Sequence, residues 1–439
     1  MGFVRKHLSA DGLHKSVINS LRKEKLVECK RSEFSWKDCV MSGLAIFGLK
    51  FPSLLKFEEE KSEPVIRSNL KNLYHVNKAP SDTCLRERLD TLSPDNLRRP
   101  FRTIFAFLQR GKMLERFLYL KKYYLISIDG TGQYSSNKVH CKNCCEKHHR
   151  DGEVTYYHQM LGAAIVHPDE QVVIPLAPEP IIKGDGSNKN DCERNASKRM
   201  LKDFRREHPH LETIIIEDGL ASNQPHLSYL DSLNLQYVIG VKPGDHAFLF
   251  DWIKHAKADD IVMNNNNIKH TFRYVNNVPL NDKNFDYKVN VLEYWEEKPN
   301  GKKQHFSWVT SFEITKENVF DLMRAGRARW KIENETFNTL KNSGYNFERN
   351  YGHGNNNLCS VMTMLMVLAF LIDQVQFLCC SLRKKVKEKC GAWYSVFEDI
   401  RSIFKKIIWD TWVQLYETII DPRNHPPPNW FGMPITVGK

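Results

Sequence analysis

Two apolar runs in this sequence each lead into an acidic residue followed by glycine. They are YYLISI before Asp129-Gly130 and TIIIE before Asp218-Gly219. A third acidic feature is RWKIENETFNTLK (329–341), with Glu333 and Glu335 set among basic residues and an apolar stripe. Carboxylates brought together from rigid elements suit Mg²⁺, a hard cation that prefers oxygen ligands and keeps several waters. Two such ions about 3.5–4 Å apart can activate an attacking oxygen and stabilise the leaving oxygen of a phosphodiester. Taken singly, each Asp-Gly is also an ordinary turn, and Glu333 could simply pair with Arg329 at i, i+4.

Helical geometry separates the two glutamates. At about 100° per residue, Trp330, Phe337 and Leu340 share one stripe. Glu333 flanks it, with Arg329 one turn before, and Glu335 projects to a different side. If the stripe packs on a sheet, Glu333 reaches the sheet edge and Glu335 faces outward.

A second cluster is VHCKNCCEKHHRDG (139–152). Cys141 and Cys144 have the Cys-x-x-Cys spacing of tetrahedral Zn²⁺ sites. His149, or its neighbour His148, is the candidate third ligand of a structural zinc. Cys145, His158 and Cys192 are candidates for the fourth. Reduced thiols in a polar loop are the plainer alternative.

The elements that must position these groups follow from pattern. Residues 1–120 read as helical, broken at Pro and Gly, with Ser81 or Asp82 as one helix N-cap. Arg98, Arg99, Arg102 and Arg110 lie on one such helix and suit either DNA backbone or a solvated face. From residue 121 the pattern becomes β-β-β-α-β-α-β: KKYYLISIDG, VTYYHQMLGAAIVHP and QVVIPLAPEPI as strands, then a helix with Asn190 or Asp191 near its start, then LETIIIEDG, QPHLSYLDSLN and LQYVIGVKPG. This is an α/β pattern, a mixed sheet in which an antiparallel meander precedes parallel strands joined by helices. The first strand is expected to end in a turn at Asp129-Gly130. Residues 251–312 are polar and strand-like, a β insertion between the second Asp and the Glu. Helix returns over 313–380, and 381–439 is a helical C-terminal region with a Pro-rich tail.

The composition is 41% hydrophobic and 26% charged, that of an ordinary globular protein. A net charge of +12 favours a polyanionic partner, nucleic acid before membrane. The chain opens MGFVRKHLSADG, without an apolar leader core, and carries eleven cysteines, so reduced thiols and a cytoplasmic location are expected. The longest apolar run, LCSVMTMLMVLAFLI from Leu358, is shorter than the roughly 20 residues a bilayer needs and ends at Asp373; a buried core helix is expected.

Asp129 after the first strand, Asp218 after the fourth and RWKIE in a late helix together resemble the DDE transposases of bacterial insertion sequences. The resemblance covers about residues 120 to 375. It implies an RNase H-like core over 121–250 and 313–380, with a β insertion domain between, and DNA binding by the helical region 1–120. In one large group of these enzymes the Glu-bearing helix reads Tyr, two residues, Arg, three residues, Glu, six residues, Lys. Arg329 and Glu333 match; the Tyr position is Gly326, and the Lys position is Leu340, with Lys341 one residue late. That slip reopens Glu335, which lies six positions before Lys341. The resemblance favours Glu333, and implies that Asp129, Asp218 and Glu333 hold divalent metal, Mg²⁺ or Mn²⁺, as two ions. It further implies DNA contacts from Arg329 and Lys341, cleavage at the terminal inverted repeats of an element, and attack of the freed 3′-hydroxyl on target DNA. Such enzymes work as dimers or larger synaptic assemblies, here on the DNA of a prokaryotic nucleoid. A metal-dependent nuclease that cuts without joining, and a transposase-derived DNA-binding protein without activity, are the competing readings.

Overall fold

The computed structural model describes residues 6–24, 33–183 and 192–428. The N-terminal region is helical: α1 (Ala10–Leu21), α2 (Trp36–Gly48), α3 (Leu54–Glu60), α4 (Pro64–Tyr74), α5 (Asp82–Asp90) and α6 (Arg98–Arg110). Ser9, Ser35, Ser53 and Ser81 cap α1, α2, α3 and α5 by accepting from first-turn amides, which satisfies donors a helix start leaves open. Of the two expected caps for α5, Ser81 takes the role. Helix α6 buries Phe101, Ile104, Phe105 and Leu108. Three of its arginines meet carboxylates: Arg98 meets Asp95 and Glu179, Arg99 meets Glu24, and Arg102 meets Glu207. The pairs with Glu179 and Glu207 tie the helical region to the strand Glu179–Ile181 and the helix Glu193–Glu207.

The strands are β1 (Leu118–Tyr119), β2 (Tyr123–Ser136), β3 (Cys145–His148), β4 (Val154–Val166), β5 (Ile174–Pro175), β6 (Glu179–Ile181), β7 (Thr213–Glu217), β8 (Gln236–Gly240), β9 (Asp259–Asn265), β10 (Ile268–Pro279), β11 (Lys288–Glu297) and β12 (Lys303–Thr310). They form one mixed sheet in the order β3-β4-β2-β7-β8-β12-β11-β10-β9, with β1, β5 and β6 pairing off this path. Helices α7 (Glu193–Glu207), α8 (Gln224–Ser232) and α9 (Ala247–His255) connect its parts. Strand β7, TIIIE, is buried at every position, as a β-branched run flanked on both sides by parallel strands should be.

One sequence expectation changes here. Strand β2 does not end at Asp129-Gly130; it continues to Ser136, paired with β4 through Asp129↔Gly162 and Gly130↔Leu161. What ends near Asp129 is the pairing with β7, whose last partners are Ser127↔Ile216. The strands of residues 251–312 join the core sheet at its edge. Trp308, Val309 and Thr310 of β12 pair with Gly240, Ile239 and Val238 of β8, so the insertion prolongs the same sheet. Asn190 and Asp191 lie outside the described residues, and the helix predicted there begins at Glu193 after Cys192.

The chain then runs through α10 (Val319–Arg327), a π-helical segment Ile332–Phe337, α11 (Asn338–Asn342), α12 (Leu358–Cys379), α13 (Ser381–Cys390), α14 (Trp393–Lys406) and α15 (Trp412–Ile420). Helix α12 has 22 residues and is long and apolar enough to cross a membrane, but most of it is buried inside the protein. It packs against α2, α5 and β5. At its polar end Asp373 receives Lys50 Nζ at 2.7 Å, Arg383 Nη2 at 3.3 Å and the Tyr345 hydroxyl at 2.6 Å. One carboxylate thus ties the N-terminal helices, the core helix and the C-terminal helices together.

Candidate active site

Strand pairing brings the two aspartates to one edge. Asp129 lies two positions beyond the last β2–β7 pair, and Asp218 two positions beyond its partner Ile216 on the parallel neighbour. Here β7 stops and the chain turns away into a short 3₁₀ turn, Gly219–Ala221. The Asp218 side chain caps that turn, its Oδ1 accepting from Leu220 N–H at 3.0 Å. Both aspartates line one cleft with Glu193, Ser197, Glu217 and His226.

The glutamate-bearing segment is seated on this edge by three contacts. Ser127 Oγ on β2 donates to the Arg329 carbonyl at 3.0 Å. The Phe337 ring lies over Gly162 of β4, directly across from Asp129; a Cβ at 162 would fall 2.7 Å from that ring. Arg329 Nη1 bridges Asp129 Oδ2 at 3.0 Å and Glu333 Oε1 at 2.8 Å. The Arg329 guanidinium also covers the Trp330 ring, 4.4 Å from its centroid.

The helical wheel behind the sequence argument is corrected in its detail. After α10 the helix is interrupted by a turn at 328–329 and resumes as a π segment, closed by Asn338 N–H donating to the Glu333 carbonyl. A π turn takes up one extra residue, which changes the angle between neighbours. Trp330 consequently leaves the stripe and is 48% exposed, whereas Ile332, Phe337 and Leu340 are buried. Glu333 faces Asp129. Glu335 lines a different pocket of about 270 Å³ with Asp373, Lys387, Trp393 and Phe397.

The electrostatics suit a cation. Burial pushes the Asp129 carboxyl up to about 7, and its hydrogen bond with Glu333 and the charges of Glu333 and Asp218 push the same way, against Arg329. Glu193, at the first turn of α7, is a fourth acid that the sequence reading missed. Its carboxylate sits over Gly130, where a Cβ would lie 2.1 Å from Oε1. Burial raises its pKa, reinforced by Asp218 and Glu217. Behind the cleft, His226 Nε2 and Glu217 Oε2 lie 2.6 Å apart; burial works to lower the His226 pKa, but Glu217 raises it on balance. Carboxylate oxygens are the donors that Mg²⁺ or Mn²⁺ takes, and the Arg329 guanidinium supplies the positive charge between Asp129 and Glu333.

The remaining predicted residues are placed as follows. Lys341 pairs with Glu348 at 2.9 Å. Gly326, where the resemblance expects Tyr, lies under Trp308: a Cβ there would be 2.3 Å from the indole Nε1, so no larger side chain fits. Cys141 and Cys144 are brought together, but His149 is not with them, because its Nε2 meets Thr155 Oγ1 at 2.8 Å. His148 likewise points elsewhere, to Glu146.

No family model matches this sequence, and no curated protein matches it. Among solved structures, a piggyBac transposase synaptic complex with hairpin DNA is similar over 97% of this chain and 82% of that chain, at 10% sequence identity and a TM-score of 0.39. A likeness of that degree is too slight to assign a function.

Proposed function

We propose that this protein is a DDE transposase with an RNase H-like core (121–250 and 313–380), cutting DNA at element ends and joining it to target DNA. The observation that carries the reading is the convergence of Asp129 and Glu333 on one guanidinium, with Asp218 just past the end of the adjacent parallel strand at the same level. Asp129, Asp218 and Glu333 would hold the divalent cation. Bound there, Mg²⁺ would supply Lewis-acid polarisation of the scissile phosphate and of the attacking oxygen. The chain's own part is positioning. Ser127 and Phe337 fix the glutamate segment on the sheet, and Arg329, now between Asp129 and Glu333, would turn to a phosphate when the cation is bound. The net charge of +12 fits a DNA partner. Helical DNA binding by residues 1–120, the contacts of Lys341, and a homodimeric or larger synaptic assembly belong to the same reading.

The test is a cleavage and strand-transfer assay with the DNA flanking the gene and Mg²⁺ or Mn²⁺. Asp129→Asn, Asp218→Asn and Glu333→Gln are each expected to lose both steps, by about 10²-fold or more, with the circular-dichroism spectrum unchanged. Cut ends without joined strands would leave a nuclease. Retained activity in any of the three variants would remove the reading.

A further inference from the structure

Away from the carboxylates, four side chains from distant parts of the sequence meet at one point. Cys141, Cys144, His158 and His353 offer ligand atoms that all lie within 4.8 Å of one another. The separations are 3.7 Å between the two sulfurs, 3.3 Å from each sulfur to His158 Nε2, and 3.5 Å from Cys144 Sγ to His353 Nδ1. A tetrahedral Zn²⁺ with usual bond lengths requires edges of about 3.8 Å between sulfurs and about 3.6 Å between sulfur and nitrogen. These four edges are within a few tenths of an ångström of those.

The surroundings are built for the same purpose. Cys141 and Cys144 sit on a tight turn in which Cys144 N–H donates to the Cys141 carbonyl at 3.1 Å and Cys141 N–H donates to Cys144 Sγ at 3.3 Å. His158 is held by the ladder of β4, opposite Tyr134. His353 is carried by the loop between the glutamate segment and α12, with the Tyr134 ring packed edge-on against it. Lys142 and Asn143 also reach across to Asn356 of that loop.

We infer that Cys141, Cys144, His158 and His353 form a structural Zn²⁺ site that pins the loop carrying His353 to the β2–β4 ladder. Two thiolates and two imidazoles select zinc over the hard cations of the carboxylate edge. All four positions are filled by protein, so the site is closed and its role is structural. It joins the strand that carries Asp129 to the chain just after the segment that carries Glu333. The inference does not rest on the transposase reading, and no arm of its test measures DNA cleavage.

The test uses full-length protein purified under reducing conditions and given Zn²⁺ alone. Elemental analysis is expected to find one zinc per chain, and a strong thiol-compatible chelator is expected to lower the melting temperature. His353→Ala and His158→Ala are expected to lose the zinc, and His149→Ala to keep it. Co²⁺ in the unmodified protein is expected to show tetrahedral d–d bands with charge transfer from two thiolates, a readout that stands even if a ligand variant fails to fold. Substoichiometric zinc, a Cys141–Cys144 disulfide under reducing conditions, an octahedral Co²⁺ spectrum, or loss of zinc in His149→Ala would each overturn the assignment.

Discussion

Arg329 sits where the charge of the site is decided. Its guanidinium touches both Asp129 and Glu333 and so stands in the place between two carboxylates that a divalent cation would take. Removing it leaves like charges facing one another at close range, and such a pair resists ionising together. Arg329→Ala is therefore expected to melt at lower temperature than the unmodified protein without divalent metal, and to be raised more by saturating Mn²⁺. Thermal melts of the two proteins with and without Mn²⁺ measure this; an equal Mn²⁺ shift in both would refute it. Glu335 belongs to another surface, with Asp373 and Trp393. On the proposed function, Glu335→Gln is expected to keep cleavage within a few-fold, in the assay that Glu333→Gln is expected to fail. The sequence made Asp129, Asp218 and Glu333 visible because each is an acid next to an apolar run of clear period. Glu193 was not visible, because its place over Gly130 depends on a crossing of α7 and β2 that no local pattern records.

At the scale of elements, the glutamate segment depends on a close approach that only glycine permits. Gly162→Ala would set a methyl group 2.7 Å from the Phe337 ring. Phe337 would have to withdraw, moving Glu333 away from Asp129. Overpacking of this kind costs about 1–3 kcal/mol, and activity is expected to fall further than stability does, with metal rescue at higher Mn²⁺. A Gly162→Ala variant with normal activity in that assay and a normal melt would show that the segment is seated otherwise. The strands and the core helix were legible from their β-branched and apolar runs. The π segment was not, since a wheel drawn at a constant angle puts Trp330 inside, and the extra residue per turn puts it outside. His353 was not legible either, because a ligand more than 200 residues along the chain leaves no spacing signal beside Cys141.

Helix α12 shows a second element-level device. Asp90, the last residue of α5, accepts from the backbone amides of Asn355, Asn356, Asn357 and Leu358 at 2.9–3.0 Å, closing the helix start with a charge. Gly354, at φ +63°, leaves the room for it; a Cβ there would lie 2.1 Å from Asp90 Oδ1. Burial works to raise the Asp90 pKa, but the four amides together hold it below its ordinary 3.8. A carboxylate with a depressed folded pKa stabilises fully above its unfolded value, and that contribution is lost as pH falls through the folded one. Asp90→Ala is expected to cost about 1.5–3 kcal/mol at neutral pH. The gap to the unmodified protein should narrow as the pH is taken below 3.8. Urea unfolding at both pH values reads this directly, and a gap that is constant with pH would count against the charge.

At the scale of the whole molecule, the regions separated in the sequence are not separate in their packing. The insertion strands lengthen the core sheet through β12 and β8. The helical N-terminus, the core helix and the C-terminal helices share the ion cluster around Asp373. Lys50 and Arg383 are only 3% and 2% exposed there. Burial pulls Lys50 down to about 8, with Asp373 opposing, and Arg383 Nε and Nη1 have no hydrogen-bond partner among the described residues. Both cations therefore lean on a single carboxylate. Breaking a buried pair from one side strands the other charge and costs about 3–5 kcal/mol, so Asp373→Asn is expected to lose at least that much. Lys50→Met should cost less, because Asp373 keeps Arg383 and the Tyr345 hydroxyl, and an apolar end replaces the ammonium that lies over the Tyr345 and Phe397 rings. Denaturant unfolding of both variants decides the order. If the three regions are one cooperative body, Asp373→Asn also keeps a single transition; a split into two would show that the helical ends detach from the sheet independently.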